Sequence, residues 1–218
     1  MAEKDKIKTV RDTDDRIYKL HDIQGKGGQG VVWFTNHERI LVKLNRKDSD
    51  MEGRKSYYRR LKYLMLRQDL PHAYVSMPKA LLAEPDCGYV MELMDDMVSL
   101  EELLTPPSNT DITSWYKNNG GVRRRIKLLL RFSEILLDIH SKGFIYGDIS
   151  PKNVFVSKQN DYFEVQLIDC DNLTTAGTLD GAVYSIKYGA PELVRGESGH
   201  NTLTDSWSFA VLAYQLLT

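Results

Sequence analysis

The sequence has few cysteines, no long apolar run and almost no net charge, and each shortage excludes a class of protein. Two cysteines, Cys87 and Cys170, provide no disulfide framework and no Cys/His spacing typical of a metal site. No apolar run reaches the roughly 18 residues that a membrane-spanning helix needs. With 29 basic and 30 acidic residues, no global field would attract nucleic acid or an anionic membrane.

What is present is the composition of an ordinary globular protein. Its 218 residues are 42% hydrophobic and 27% charged, which allows a sizeable core. The first 15 residues are almost all polar and lack the apolar segment of a secretion signal, so we expect a cytoplasmic protein. We predict a flexible leader over residues 1–15 and a folded domain over 16–218, although the leader could instead form a strand or a tether.

Three runs near the start, IYKLHDI, VVWFTNHE and ILVKL, predict antiparallel strands. The first two are joined by the glycine cluster GKGGQG, whose missing side chains would let backbone N–H groups approach a nucleotide phosphate. A glycine hairpin without a ligand is the plainer interpretation. A dinucleotide-binding motif is disfavoured because it would lead straight into a helix, whereas a strand follows here.

Lys43 is the only charge in the apolar run ILVKL, and a buried lysine needs an anion. The next segment, Asp48–Asp69, has helical spacing, and Glu52 in its first turn is our candidate partner for Lys43. Asp48 and Asp50 are the alternatives if the helix starts later, and Glu52 would also be favoured there by the helix dipole alone.

Strands are also predicted at Ser76–Ala83 and Tyr89–Leu93, which gives a five-stranded sheet with one helix. Further on we predict a short helix at Leu100–Leu104, a polar loop at Ser108–Asn119 and a long helix at Val122–Lys142. The apolar stripe predicted for that last helix consists of Ile126, Leu129, Leu130, Ser133, Leu136, Leu137 and His140.

The stretch FIYGDISPKNVFVSKQNDYFEVQLIDCD holds the strongest chemical signal. Asp148 and Asn153 lie five residues apart on a loop, and an apolar strand delivers Asp169 at its end. Carboxylate and amide oxygens suit Mg²⁺, which keeps waters and phosphates in its shell. The stretch therefore predicts a site for phosphoryl transfer.

Six motifs, in order, resemble those of the protein kinase family: GKGGQGVV, ILVKL, YGDISPKN, DCD, GAPEL and TDSWSFAV. The resemblance implies an α+β, two-lobed fold with an antiparallel N-lobe sheet up to about residue 94 and a mainly helical C-lobe from 95. Compared with the family, this C-lobe is truncated at Thr218. The chain is then either a fragment of a longer kinase or a shortened form in which a homo-oligomer or a partner protein covers the exposed apolar helix.

The resemblance also implies roles for individual residues. Asp148 would be the catalytic aspartate, Lys43 and Glu52 the phosphate-positioning ion pair, and Asn153 and Asp169 the Mg²⁺ ligands. ATP would be bound by Gly25, Gly27, Gly28, Gly30, Val32, Lys43, Met91, Glu92 and Met94. The aspartate before the last helix, Asp205, would brace the backbone of the catalytic loop.

We therefore expect an ATP- and Mg²⁺-dependent kinase that acts on a serine or threonine hydroxyl of a protein substrate, with no nucleic-acid or membrane partner. Gly147 stands where the family has arginine, which predicts activity without activation-loop phosphorylation. Ser150 replaces a lysine, and Cys170 with Asp171 replaces phenylalanine and glycine, so two alternatives stay open. These are a nucleotide-binding pseudokinase or interaction module, and a small-molecule kinase.

Overall fold

The computed structural model describes residues 8–45, 51–176 and 184–218. The chain divides into two units. The first contains Met1–Arg67 and Met77–Asp95, and the second contains Gln68–Ser76 and Asp96–Thr218. The second unit thus includes Gln68–Ser76, a short segment that interrupts the first unit along the chain. The sequence did not indicate this.

The first unit is built on an antiparallel sheet of six strands in the order β1-β2-β3-β4-β6-β5. The strands are β1 Thr9–Arg11, β2 Ile17–Lys26, β3 Gly30–Thr35, β4 Ile40–Asn45, β5 Ala80–Leu81 and β6 Gly88–Glu92. Alternate side chains of β2 and β4 are buried with Val10, Leu82 and Val90 in one apolar cluster. The period of two along each strand places these residues on one face of the sheet.

The predicted five-stranded sheet was one strand short, because part of the expected flexible leader is β1. Val10 pairs with Tyr18 of β2 and is only 3% exposed, so its burial ties down this segment. Asp12 then forms the turn, since its Oδ1 accepts from the backbone N–H groups of Asp14 and Arg16, both at 2.9 Å. Its Oδ2 accepts from the Tyr18 hydroxyl at 2.8 Å, and burial together with this carboxylate raises the pKa of Tyr18 to about 12.

The helix of the first unit, α1 Met51–Leu66, lies inside the predicted segment. Among the apolar residues of α1, Leu61 and Leu64 are buried, whereas Met51 is 71% exposed. The strand predicted at Ser76–Ala83 is reduced to the two residues of β5. One reason is that Pro78 has no N–H to donate to a ladder.

The described residues of the second unit form two small antiparallel sheets and four α-helices. The strands are β7 Met97–Ser99, β8 Phe144–Ile145, β9 Val154–Ser157, β10 Val165–Leu167 and β11 Thr174–Thr175. The helices are α2 Ile112–Asn118, α3 Gly121–Ser141, α4 Pro191–Val194 and α5 Thr202–Leu217. The sheets are ordered β10-β9-β7 and β11-β8, and the short helix predicted after residue 99 is a 3-10 turn at Leu100–Leu103.

The α3 helix was predicted within one residue of its ends, but its buried face was predicted wrongly. Ile126, Leu130 and Leu137 are at least half exposed. The residues that α3 buries are Arg124, Arg125, Leu128, Phe132, Ile135, Leu136 and Ile139. Apolar residues occur around most of this helix, so their spacing alone did not decide which side packs inward.

The predicted polar loop at Ser108–Asn119 contains α2. Asp111 caps that helix, since its Oδ2 accepts from the backbone N–H of Ser114 at 2.7 Å. A carboxylate in this position satisfies a backbone donor that the first helical turn leaves without a partner. Within the described ranges, no helix combines the length and apolarity needed to cross a bilayer.

Candidate active site

The glycine-rich turn of the first unit closes the hairpin of β2 and β3. Gly25 pairs with Val32, Lys26 pairs with Val31, and the Gly27 N–H donates to the Gly30 carbonyl at 2.9 Å. A Cβ built at Gly25, Gly27 or Gly28 would meet nothing within 4 Å. Packing inside the protein therefore does not require glycine at these three positions.

Gly30 has a different reason for being glycine. A Cβ at this position would lie 2.4 Å from the Leu44 carbonyl oxygen of the neighbouring strand. That separation is far below van der Waals contact, so the side chain would push β3 away from β4. Of the four glycines in the predicted phosphate-binding turn, this one has a structural function.

Lys43 lies in the middle of β4, where it pairs with Val32 on one side and with Tyr89 on the other. It is 3% exposed, and its Nζ lies 5.7 Å from the centre of the Tyr89 ring. The strand register therefore places a buried ammonium beside Val32, a residue that the sequence assigned to nucleotide binding.

Glu52, the predicted partner of Lys43, does not pair with it. Glu52 lies exposed in the first turn of α1, and in the described part of the chain it forms no ion pair with Lys43. The alternatives, Asp48 and Asp50, lie outside the described residues. The assignment of Glu52 thus stays a prediction that this arrangement does not support.

Three further predicted nucleotide contacts lie in or just after β6. Met91 is buried and pairs with Leu41, whereas Met94 is half-buried. Glu92 is exposed and accepts from the Lys79 ammonium at 2.6 Å, and this hydrogen bond lowers the pKa of Glu92. The Glu92 side chain is therefore engaged with a lysine on the surface.

The catalytic-loop aspartate of the second unit is held from two sides. Asn153 Nδ2 donates to Asp148 Oδ2 at 2.8 Å and to the Asp148 carbonyl at 2.9 Å. The Ser185 hydroxyl donates to the other carboxylate oxygen, Oδ1, at 2.9 Å. The hydrogen bonds between Asp148 and Asn153, five residues apart, therefore close a loop. The second carboxylate oxygen of Asp148 accepts from the Ser185 hydroxyl.

Asp205 braces this loop, as the resemblance implied. Its two oxygens accept from the backbone N–H groups of Tyr146, at 2.8 Å, and Gly147, at 2.9 Å. His140 Nε2 lies 2.9 Å from Asp205 Oδ2, which agrees with its predicted hydrogen bonding in the core. Asp205 is 1% exposed, so a buried carboxylate of α5 fixes the backbone immediately before Asp148.

The residues predicted to hold a metal are neighbours in the second unit. The Ile168 N–H donates to the Asn153 carbonyl at 3.0 Å, so the residue directly before Asp169 is hydrogen-bonded to Asn153. Asp169 itself has a left-handed φ of 56°, which aspartate tolerates better than most residues. Both hydrogen bonds of the Asn153 side-chain amide are donated by its nitrogen, Nδ2. The amide oxygen of the same side chain is therefore left as a ligand for a hard cation.

A two-residue ligand set is chemically suited to Mg²⁺. No group of three or more His, Cys, Asp or Glu in the described ranges could hold a metal ion. Mg²⁺ does not require one, because it retains waters and phosphate oxygens and uses one or two protein ligands. Asn153 and Asp169 therefore fit the predicted cation.

Sequence reasoning missed two residues that support this site. The Tyr146 hydroxyl donates to the carbonyls of Ile168 and Asn153 and so links the catalytic loop to the segment that carries Asp169. Burial raises the pKa of Tyr146 well above its usual value, with a further rise from the carboxylates of Asp169 and Asp148, so it remains a donor. Ser185 is 37 residues from Asp148 in the sequence, and no local spacing connects the two.

Comparison with known proteins places these features in one family. A profile of the protein kinase domain matches residues 18–218. A protein of Acanthamoeba polyphaga mimivirus named as a serine/threonine-protein kinase is 33% identical over 106 residues, which is 47% of this chain and 19% of that protein. The serine/threonine-protein kinase pkn2 of Myxococcus xanthus is 31% identical over 103 residues, 44% of this chain and 12% of that protein.

A solved structure agrees in fold. The structure of vaccinia related kinase 3 aligns with a TM-score of 0.65 and 15% identity, and the alignment covers 100% of this chain and 70% of that one. The aligned parts are only a small share of the two relatives' own lengths. Since the kinase-domain profile matches nearly all of the sequence, the chain belongs to the protein kinase family.

Proposed function

We propose that this chain transfers the γ-phosphate of ATP to a serine or threonine hydroxyl of a protein, in an Mg²⁺-dependent reaction with Asp148 as the catalytic aspartate. The two relatives described above are both named as serine/threonine-protein kinases, which supports the choice of acceptor. The proposal goes beyond family membership, because it assigns a reaction and a role to each residue.

The observation that carries the proposal is the hydroxyl bound to Asp148. Asn153 fixes one carboxylate oxygen, and the other accepts from the Ser185 hydroxyl at 2.9 Å. A general base must lie within hydrogen-bond reach of the proton it receives. An acceptor hydroxyl that replaced Ser185 at Oδ1 would therefore be oriented for attack on phosphorus and could pass its proton to Asp148.

Features of the first unit support the nucleotide part of the proposal. The open space at Gly25, Gly27 and Gly28 allows a phosphate to approach the backbone without meeting a side chain. The buried ammonium of Lys43 would offset phosphate charge. Bound Mg²⁺, held by Asn153 and Asp169, would supply further neutralisation of the charge on the phosphates.

The test is transfer of labelled γ-phosphate from Mg·ATP to a generic protein substrate. Asp148→Ala and Asp169→Ala should each lower the rate by roughly 10²–10⁴-fold, because positioned proton acceptors and electrostatic groups supply most of the catalysis. The matched control is Asp161→Ala, which removes an exposed carboxylate of the second unit that makes no side-chain contact with the site.

Three results would contradict the proposal in different ways. Nucleotide binding without transfer to any acceptor would favour a pseudokinase. Transfer only to small alcohols would favour a small-molecule kinase. An equal loss in Asp161→Ala would show that the effect of Asp148→Ala is not specific.

The remaining parts of the proposal concern the setting of the enzyme. A cytoplasmic location is proposed from the sequence, and fractionation of cells that express the chain would test it. The proposed homo-oligomer or partner protein predicts a sedimentation coefficient above that of a 25.0 kDa monomer.

A further inference from the structure

The second unit contains a cavity of about 500 Å³ whose lining includes neither Asp148 nor Asn153. Its wall comes from the 3-10 turn after β7, the end of α2, the start of α3 and the turn that follows β9. Apolar and aromatic side chains, Leu103, Pro107 and Trp115, form part of this wall. Its volume falls within the range of about 300–1,000 Å³ that is usual for small-molecule sites.

A buried guanidinium, that of Arg124, also lines the cavity. Arg124 is 2% exposed, and it donates to the Ser157 carbonyl and to Asn160 Oδ1, each at 2.5 Å. A longer contact of 3.5 Å reaches the Asn119 carbonyl. Its Nε is buried and has no hydrogen-bond acceptor.

A second buried guanidinium follows directly in the chain. Arg125 is 1% exposed and donates to the carbonyls of Gly121, at 3.1 Å, and Leu103, at 3.0 Å. Its guanidinium lies 4.0 Å from the centre of the Tyr116 ring. Burial lowers the pKa of both arginines, and the charge of Arg125 lowers that of Arg124 further.

No carboxylate of the described residues forms an ion pair with Arg124 or Arg125. Buried charges in proteins are normally paired, because desolvating an unpaired ion is costly, and arginine does not escape the cost by losing its proton. The Lys158 side chain adds a second cation to the cavity wall, beside Arg124. Glu102 is the only acid in the wall, and it is exposed and pairs with none of the three.

We propose that this cavity binds a small organic anion, a carboxylate or phosphate group attached to a planar apolar body. The anionic group would lie between the Arg124 guanidinium and the Lys158 ammonium, where charge-assisted hydrogen bonds are strongest. The planar body would pack against Trp115 and Leu103. This site uses none of the residues assigned to phosphoryl transfer. The binding proposal is therefore independent of the proposed function, and either could fail without the other.

The test is a titration of the full chain at low ionic strength, followed by ¹H–¹⁵N NMR, with phenyl phosphate, benzoate and inorganic phosphate as probes. Phenyl phosphate or benzoate should shift the backbone signals of residues 158–160 and of Trp115 with an apparent Kd of about 1 mM or lower, the range of a small ligand that makes few contacts. Benzyl alcohol, which is neutral, should bind at least about tenfold more weakly, and inorganic phosphate should be weaker than phenyl phosphate.

A charge-reversal pair identifies the cation. Lys158→Glu should weaken phenyl phosphate binding by at least about fivefold, whereas Lys127→Glu, the same change on an exposed lysine of α3 outside the cavity, should leave it unchanged within about twofold. Lys158 is exposed, so neither variant disturbs the core, and unchanged far-UV circular dichroism confirms this.

Several outcomes would overturn the proposal. These are equal affinity for benzyl alcohol, an equal effect of the two charge reversals, signal shifts confined to the glycine-rich turn of the first unit, or no shift with any of the three anions. The last outcome would mean that the groups already in contact with Arg124 and Arg125, the backbone carbonyls, Asn160 Oδ1 and the Tyr116 ring, suffice for both, and that the cavity is a gap in the surface.

Discussion

In the first unit, strand register and backbone place the candidate site residues, whereas in the second unit a network of buried side chains does so. Lys43 occupies its position because β4 pairs with both neighbouring strands, and three glycines at the turn between β2 and β3 lie in open space. Asp148, by contrast, depends on Asn153, Ser185 and, through the backbone, Asp205. Some substitutions in the first unit should therefore change nucleotide binding without changing stability. Substitutions in the side-chain network of the second unit should lower activity and stability together.

The largest effect is expected from Asp205→Ala. This change leaves two buried backbone N–H groups and His140 without their acceptor, so the free energy of unfolding should fall by about 3 kcal/mol or more. Phosphate transfer should fall with it. Urea unfolding measures the first quantity, and Asp138→Ala, which removes a surface carboxylate of α3, should change stability by less than about 1 kcal/mol. Similar values for the two variants would refute the bracing role of Asp205.

The glycine turn gives the next largest effect and the sharpest contrast. Gly30→Ala should destabilise the protein by about 1–3 kcal/mol, because its Cβ would overlap the Leu44 carbonyl. Gly27→Ala should change thermal stability by less than about 0.5 kcal/mol, since its Cβ meets nothing, and should weaken ATP binding instead. Calorimetric titration with ATP and thermal denaturation of both variants test this. A Gly27→Ala variant that loses as much stability as Gly30→Ala would contradict the different roles assigned to Gly27 and Gly30.

A smaller effect is expected from Tyr146→Phe, which removes the hydrogen bonds that the Tyr146 hydroxyl donates to the carbonyls of Ile168 and Asn153. Unfolding free energy should fall by about 1–2 kcal/mol at neutral pH. Because the pKa of Tyr146 is raised in the folded protein, wild type keeps this contribution below the unfolded tyrosine pKa of about 10 and loses it as the pH rises further. The difference between wild type and Tyr146→Phe should therefore narrow above about pH 10. A difference that is constant from pH 7 to 11 would count against a raised pKa.

The smallest effect is expected from replacing Thr174, Thr175 and Thr178 together by alanine. Gly147 provides no arginine for an activation-loop phosphate, so transfer activity should stay within about threefold of wild type, less than 1 kcal/mol in activation free energy. Thr178 lies outside the described residues, whereas Thr174 and Thr175 form β11 through backbone pairing that alanine preserves. Loss of all activity in this triple variant would contradict independence from phosphorylation.

The sequence was most informative where short spacing determines geometry. Asp148 and Asn153 are five residues apart, and their hydrogen bonds close a loop too short to have many alternatives. The Asp205 brace was predicted from motif order, and the structure contains it. The six ordered motifs likewise predicted the family that the kinase-domain profile identifies.

Features that depend on long-range packing were predicted less well. The β1 strand was hidden because only Val10 in it is buried, too little apolar pattern to signal a strand. The buried face of α3 was misassigned because two arginines are buried while Ile126 and Leu130 are exposed, the reverse of the hydrophobic rule. Glu52 was chosen as the only nearby glutamate, the first turn of α1 leaves it exposed, and its role as the partner of Lys43 stays a prediction.

Gly147 limits how this chain could be redesigned. Its φ is +88°, and a Cβ there would lie 3.3 Å from the Asn172 carbonyl oxygen and 3.5 Å from the ring of His200. Installing the family's arginine by Gly147→Arg would therefore combine a strained backbone with a tight contact to the Asn172 carbonyl, whereas the His200 ring lies at ordinary van der Waals distance. A phosphate-sensing version would need the segment that carries Asn172 to shift in the same step, so one substitution at position 147 does not restore the family's arginine without moving the backbone beside it.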